Sequence, residues 1–304
     1  MSIETFESAL LEFSEKSCAR QFFIRRDFPL RRLTSFRIGG NADAVVYPKD
    51  AEAFAFAVDQ ARRSETPYLI LGNGSNTLAS DKGYRGVVLA TTDMRRVEVD
   101  KDQIRGGCGV LLGSIGTNAA CAQLSGAEFA NGIPGTLGGA IVGNAGANGS
   151  DISSLVNSVT VFRSGNVINL TRVECGFRYR GSGFLPGDVI ISAELNLLKR
   201  HFSEIEKNLK KAKQTRARQP KGKSAGCTFK NPPGLSMGKI IDQLGLKGQR
   251  IGGAKISEKH ANFIVNDCGA SSADVYELIN LIEKKTESAF GFIPEREIKI
   301  FGDF

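Results

Sequence analysis

The chain has 304 residues, 41% of them hydrophobic and 24% charged, which allows two domains with buried cores and rules out a largely disordered protein. Its formal net charge of +8 suits a basic surface, a nucleic acid or a small polyanionic ligand. Six cysteines are scattered without a CxxC pair, and the only histidines are His201 and His260. Free cytosolic thiols are therefore expected, and no metal site is.

The N-terminus, MSIETFESALLEFSEK, turns acidic early and lacks an apolar run behind a basic start, so it does not read as a signal peptide. No stretch approaches the length of a membrane span. A cytoplasmic protein without membrane attachment is expected. Ile3, Phe6, Leu10 and Phe13 recur at helical spacing. Ala51–Arg63 predicts a second helix with Asp50 as its N-cap. Residues 67–71 and 86–90 read as short buried strands, 97–99 and 104–105 as further strands, and 110–124 as a helix. Beyond a glycine-rich run, 158–162, 167–170 and 189–198 predict strands. Residues 204–218 predict a helix that Pro220 ends, followed by helices over 235–245 and 272–290 and a strand over 298–301. This mixture is α+β, and the composition shift over 199–218 marks a candidate domain boundary. The densest basic stretch, 207–223, spaces largely like an exposed helix face and has no interleaved aromatics, so a nucleic-acid partner is not expected.

Common nucleotide signatures fail. No GxGxxG follows a strand, GLSMGK at 234–239 is followed by Ile240 where a P-loop needs Ser or Thr, and no GxSxG occurs. Four other blocks stand out. Arg37-Ile38-Gly39-Gly40 is the first, and LGNGSN at 71–76 directly follows a strand. Glycine and asparagine tolerate positive φ, so such a turn can aim its amides outward as an anion nest or serve as a plain surface turn. The third, 128–149, alternates glycines with small residues, and its Ile133, Leu137, Ile141 and Val142 are expected to be buried. Backbone of this kind packs tightly on itself or on a pyrophosphate. The fourth, SAGCTFKNP at 224–232, sets Cys227 near Lys230 in a glycine-bearing loop, either as a reactive thiol or as a buried structural one.

In their order, SFRIGGNAD (35–43), LGNGSN (71–76), EFANGIPGTLGGAIVGNAGANG (128–149), ECGFRYRGSGF (174–184), SAGCTFKNP (224–232), LKGQRIGGAKISEKHANFIVN (246–266) and PEREIKIFG (294–302) resemble the UDP-N-acetylenolpyruvoylglucosamine reductase family. The resemblance implies an FAD-binding domain of vanillyl-alcohol-oxidase (PCMH) type over 1–200, with lobes of about 1–92 and 93–200. A smaller α/β substrate-binding domain follows over 201–304, its last strand, 296–302, returning toward the FAD domain. The short stretch between Arg180 and Ser224 is similar to the compact branch of the family, without an inserted tyrosine loop.

The activity implied is reduction of an enolpyruvyl UDP-sugar ether by NADPH through non-covalent FAD, in a monomer that makes peptidoglycan precursors. FAD would lie on Arg37, Ile38, Gly39, Gly40, Gly72, Asn73, Gly74, Ser75, Asn76, Gly132, Ile133, Pro134, Gly135, Thr136, Gly138, Gly139, Asn144, Ala145 and Gly146. Arg180 would be the cation for the enolate, Glu297 the carboxylate working with it, and Cys227 the proton donor. A thiol with an ordinary pKa of about 8.5 is mainly protonated at neutral pH and suits that role. Tyr179, Arg218, Lys230 and Asn231 would line the substrate's carboxylate or diphosphate, and His260 either faces the substrate or serves the structure. Asn148 departs from the pattern, since many relatives carry tyrosine there. Another flavin oxidase or dehydrogenase on this scaffold is the alternative, although no histidine precedes His201 to link FAD covalently.

Overall fold

The computed structural model describes residues 3–17 and 21–304; Cys18, one of the expected free thiols, lies outside the described residues. Contacts group the chain into two compact units built from interleaved segments, where the composition shift predicts a single break. The first comprises Met1–Arg25, Ala44–Asn73 and Gly86–Arg216; the second comprises Arg26–Asp43, Gly74–Arg85 and Ala217–Phe304. Among the described residues no helix is long and apolar enough to cross a membrane.

The first unit carries α1 (Ile3–Lys16), α2 (Ala51–Arg63), α3 (Leu112–Cys121), α4 (Leu137–Gly143) and α5 (Phe202–Ala217). α2 starts where Asp50 accepts the amide of Ala53 at 2.9 Å. It buries Ala53, Phe54, Ala57, Val58 and Ala61, the stripe that helical spacing dictates. Phe13 of α1 stacks on Phe56 at 4.2 Å between ring centres. One sheet has the strand order Phe22–Pro29, Asn41–Pro48, Tyr84–Ala90, Tyr68–Leu71, the last two parallel. The other is antiparallel in the order Asn166–Thr171, Val156–Arg163, Val189–Asn196, Gln103–Gly107, Val97–Asp100. Val87, Leu89, Ile104, Ile115, Leu137, Ile141, Val159 and Leu195 belong to one continuous core.

The glycine run folds partly as α4, which the periodicity of its sequence does not announce. Leu137 and Ile141 are buried as expected, but Val142 is 48% exposed and Ile133 only half-buried. A helix of this length has one inward face, and Val142 lies off it.

In the second unit an antiparallel sheet runs Lys223–Cys227, Phe263–Asn266, Ala254–Ile256, Arg250–Ile251. With it are α6 (Met237–Gln243) and α7 (Ser272–Phe290). α7 opens with a capping box between Ser271 and Asp274 and ends at Gly291 in the left-handed region, φ 74°. Its Val275, Leu278, Ile279 and Ile282 join Phe36, Leu78, Phe229 and Ile298 in a second core. The closing strand Lys299–Phe301 pairs in parallel with Thr77–Ala79, Ile300 opposite Leu78.

Candidate active site

In the first unit the expected cofactor cradle lies between a strand end and α4. Gly72 follows the strand Tyr68–Leu71, and a Cβ there would stand 2.3 Å from Thr136 Oγ1. Only glycine lets the strand end come this close to the α4 N-cap. Thr136 is that cap, accepting from the Gly139 amide at 3.4 Å. Gly132 and Gly135 hold φ of 87° and 131°, which other residues rarely adopt. Gly138 packs on Cys108, whose thiol burial pushes up to about 12, so that sulfur is packing and not chemistry.

Gly139 and Gly143 differ from these. Neither has a left-handed φ; the nearest atom to a Cβ on Gly139 would be Thr136 Oγ1 at 3.6 Å, and Gly143 has nothing within 4 Å. Glycine costs a helix roughly 1 kcal/mol against alanine. Among the described residues no protein contact accounts for glycine at these helical positions, and a ligand resting on the α4 backbone would. The residues present thus fit a dinucleotide.

The end of the run is organised differently. Asn144 Nδ2 donates to Arg178 O and its Oδ1 accepts from the Ser153 amide, each at 3.1 Å. The Ala145 amide donates to Ala140 O, and its carbonyl accepts from Ile152, each at 2.9 Å. Gly146 O accepts from Arg180 Nη2 at 2.9 Å. These groups of Asn144, Ala145 and Gly146 are engaged inside the protein. Tyr179 is exposed, with the Arg180 guanidinium 5.4 Å from its ring centre.

In the second unit, Gly39 and Gly40 are explained by packing. A Cβ on Gly39 would stand 2.7 Å from Ala79 Cβ, and one on Gly40 would stand 2.1 Å from Asp81 O. Arg37 takes φ 59° and Ile38 is buried, its carbonyl accepting from Thr34 Oγ1 at 3.0 Å. Gly74 takes φ 55° against Leu33 O.

Cys227, half-exposed, ends the strand Lys223–Cys227 opposite Phe263. The segment after it pairs with the segment carrying Glu297. The Glu297 amide donates to Thr228 O at 2.8 Å, Phe229 bridges Arg296, and the Lys230 amide donates to Glu295 O at 2.8 Å. Thr228 therefore stands opposite Glu297, one residue from Cys227. Of the two nearby acids, Glu295 is exposed and its carboxylate meets Lys230 Nζ at 2.6 Å, whereas Glu297 is half-buried.

Three residues outside the expected catalytic set hold this pairing. Asn262, 1% exposed, accepts the Phe229 amide at 3.0 Å and donates to Phe229 O at 2.8 Å. Arg296 grips Glu283 through Nε and Nη2, at 2.5 and 2.7 Å, and that carboxylate holds its pKa above the ordinary guanidinium value. Asn76, expected at the cofactor, donates through Nδ2 to Glu297 O at 3.0 Å. No local motif reveals such partners, because each lies far away in sequence.

The remaining expected residues have separate settings. Asn231 Oδ1 accepts the Met237 amide at 3.0 Å, while Arg218 is exposed. His260 lies against Gly238 and edge-on to Phe263, and its Nδ1 accepts the Asn262 amide at 3.3 Å. Burial lowers its pKa, and Lys247 lowers it further.

Comparisons with known proteins agree with this architecture. Residues 42–171 match the FAD binding domain family, and 218–301 match the C-terminal domain of UDP-N-acetylenolpyruvoylglucosamine reductase. The UDP-N-acetylenolpyruvoylglucosamine reductase of Caldanaerobacter subterraneus subsp. tengcongensis is 42% identical over 279 residues, covering 90% of this chain and 92% of that protein. The crystal structure of the reductase from Thermus caldophilus superposes with a TM-score of 0.81 at 35% identity, over 92% of this chain and 100% of that one. A glucose dehydrogenase, Phl p 4.0202, shares the fold alone, with a TM-score of 0.50 at 16% identity over 65% of this chain and 44% of its own. The fold class is α+β, comprising a PCMH-type FAD-binding domain and a smaller α/β domain. The chain belongs to the UDP-N-acetylenolpyruvoylglucosamine reductase family, FAD-dependent oxidoreductases of peptidoglycan precursor synthesis.

Proposed function

We propose that this reductase takes NADPH as its hydride donor and converts the enolpyruvyl ether of UDP-N-acetylglucosamine to UDP-N-acetylmuramate, with Cys227 donating the final proton. Residues 1–200 would serve FAD and 201–304 the substrate. The residues that would hold FAD are Gly72, Asn73 and the stretch from Gly132 to Gly139, together with Arg37–Gly40 and Gly74–Asn76. When bound, FAD supplies the hydride relay between NADPH and the enol ether. Amides and glycine-lined backbone suit its pyrophosphate, since they offer donors without side-chain bulk.

The rest belongs to the chain's own side chains. Reduction of the enol ether builds negative charge toward the substrate carboxylate, and the Arg180 guanidinium stabilises it electrostatically. The Cys227 S–H bond then breaks, the new C–H bond forms, and the electron pair remains on sulfur as thiolate. Glu297 is the carboxylate of the set. Lys230, Arg218, Tyr179 and Asn231 offer cationic and hydrogen-bonding groups to the diphosphate and carboxylate.

The observation that carries this reading is the backbone pairing that sets Thr228, next to Cys227, against Glu297 and so runs the segments bearing the thiol and the carboxylate side by side. Cys227→Ala tests it. NADPH should still bleach the flavin in this variant while product formation stops, and Cys227→Ser should keep measurable turnover. Wild-type turnover in Cys227→Ala contradicts the assignment.

A further inference from the structure

The Arg180 turn is tied to the end of α4 by three hydrogen bonds. Ser182 Oγ donates to Val142 O at 2.7 Å, Asn144 Nδ2 to Arg178 O at 3.1 Å, and Arg180 Nη2 to Gly146 O at 2.9 Å. Asn144 is the buried member, 4% exposed. It sits at the C-cap of α4 with φ 42°, and its other side-chain atom accepts the Ser153 amide. Asparagine is one of the few residues that takes the left-handed C-cap readily and still offers both a donor and an acceptor.

The turn it holds is tight and strained. Arg178 and Gly181 exchange backbone hydrogen bonds at 3.0 and 3.1 Å, and Arg180 between them takes φ 53°. That backbone state is unfavourable for a residue with a Cβ. An arginine persists there only where its surroundings over-determine the conformation.

We propose that Asn144 is a positioning residue, which fixes the Arg178–Gly181 turn onto α4 so that the Arg180 guanidinium is presented in one geometry. This departs from its expected place among the cofactor-holding residues, since both side-chain polar atoms are taken by protein partners. The proposal rests on the reading of Arg180 as the cation of the reaction. It makes the cradle helix and the substrate-activating arginine parts of one fixed block.

Two variants separate positioning from folding. Asn144→Gly keeps the left-handed backbone without steric cost and removes both side-chain bonds. Asn144→Asp keeps the acceptor for the Ser153 amide but turns a carboxylate oxygen toward Arg178 O. Each is purified with FAD, its flavin content is read from the absorbance, and the two half-reactions are followed anaerobically. Flavin reduction by NADPH should stay within about twofold of wild type, and reoxidation by the enolpyruvyl UDP-sugar should slow by about tenfold to a hundredfold, the scale of a small misplacement of a reacting group. The double variant Asn144→Gly, Arg180→Ala should reoxidise no more slowly than Arg180→Ala alone, because Asn144 acts through Arg180. Wild-type reoxidation in Asn144→Gly, or additive losses in the double variant, overturns the positioning role. Equal slowing of both half-reactions, or loss of FAD, also overturns it by making Asn144 a support of the cradle. Wild-type reoxidation in Arg180→Ala instead overturns the role given to Arg180.

Discussion

At the residue scale, His260 carries a pH consequence of its own. Burial lowers its pKa below the ordinary value of 6.5, so the folded state binds a proton less readily than the unfolded chain. Stability is thus fully present above about pH 6.5 and falls as pH drops from there through the folded value, where the unfolded state takes up the proton first. Denaturant unfolding should therefore show wild type losing stability below pH 6.5 faster than His260→Gln. Parallel pH profiles for the two would mean that the ring titrates alike in both states. At this scale Cys227, Arg180 and Glu297 were legible only as expectations, carried by the resemblance of SAGCTFKNP, ECGFRYRGSGF and PEREIKIFG to the reductase family. The supports were not. Asn262 and Arg296 are ordinary polar residues until the fold sets them against Phe229 and Glu283, and Asn76, expected at the cofactor, is set against Glu297.

At the element scale, the helices with both a periodic stripe and a cap were read most accurately. α2 spans Ala51–Arg63 behind its cap Asp50, and α7 spans Ser272–Phe290, as the spacing predicts. The strands Phe22–Pro29 and Asn41–Pro48 carry no clean alternation, and a left-handed Asp27 interrupts the first. Thr77–Ala79 is three residues long and exists because Lys299–Phe301 pairs with it, which no local pattern encodes. The paired segments 227–230 and 295–298 depend in the same way on a distant side chain. Asn262→Ala should cost about 2 kcal/mol or more in chemical denaturation, because it leaves a buried amide and carbonyl of Phe229 without partners. Product formation should suffer in Asn262→Asp even where the fold survives, since the carboxylate keeps the acceptor and loses the donor. A loss under about 0.5 kcal/mol in Asn262→Ala would place the stability of this pairing elsewhere.

At the scale of the whole molecule, the glycine run showed that backbone must pass close to something but not to what. Gly72, Gly132, Gly135 and Gly138 answer to packing or dihedral needs, and at Gly139 and Gly143 a ligand would account for the missing side chain. Rejection of the Rossmann and P-loop patterns, followed by the ordered motif blocks, gave that ligand its identity as FAD, and matches over 42–171 and 218–301 cover both parts of the chain. The interleaving of short N-terminal segments with the C-terminal third was not legible, because composition reports stretches of chain while units arise from contacts between them. The proposed function requires this fold to pass reducing equivalents to an enolpyruvyl UDP-sugar. Its most direct test is to reduce the purified yellow protein anaerobically with one equivalent of NADPH and then add UDP-N-acetylglucosamine enolpyruvate. Rapid return of the oxidised flavin spectrum with stoichiometric UDP-N-acetylmuramate is expected. A flavin that stays reduced until oxygen is admitted would contradict it.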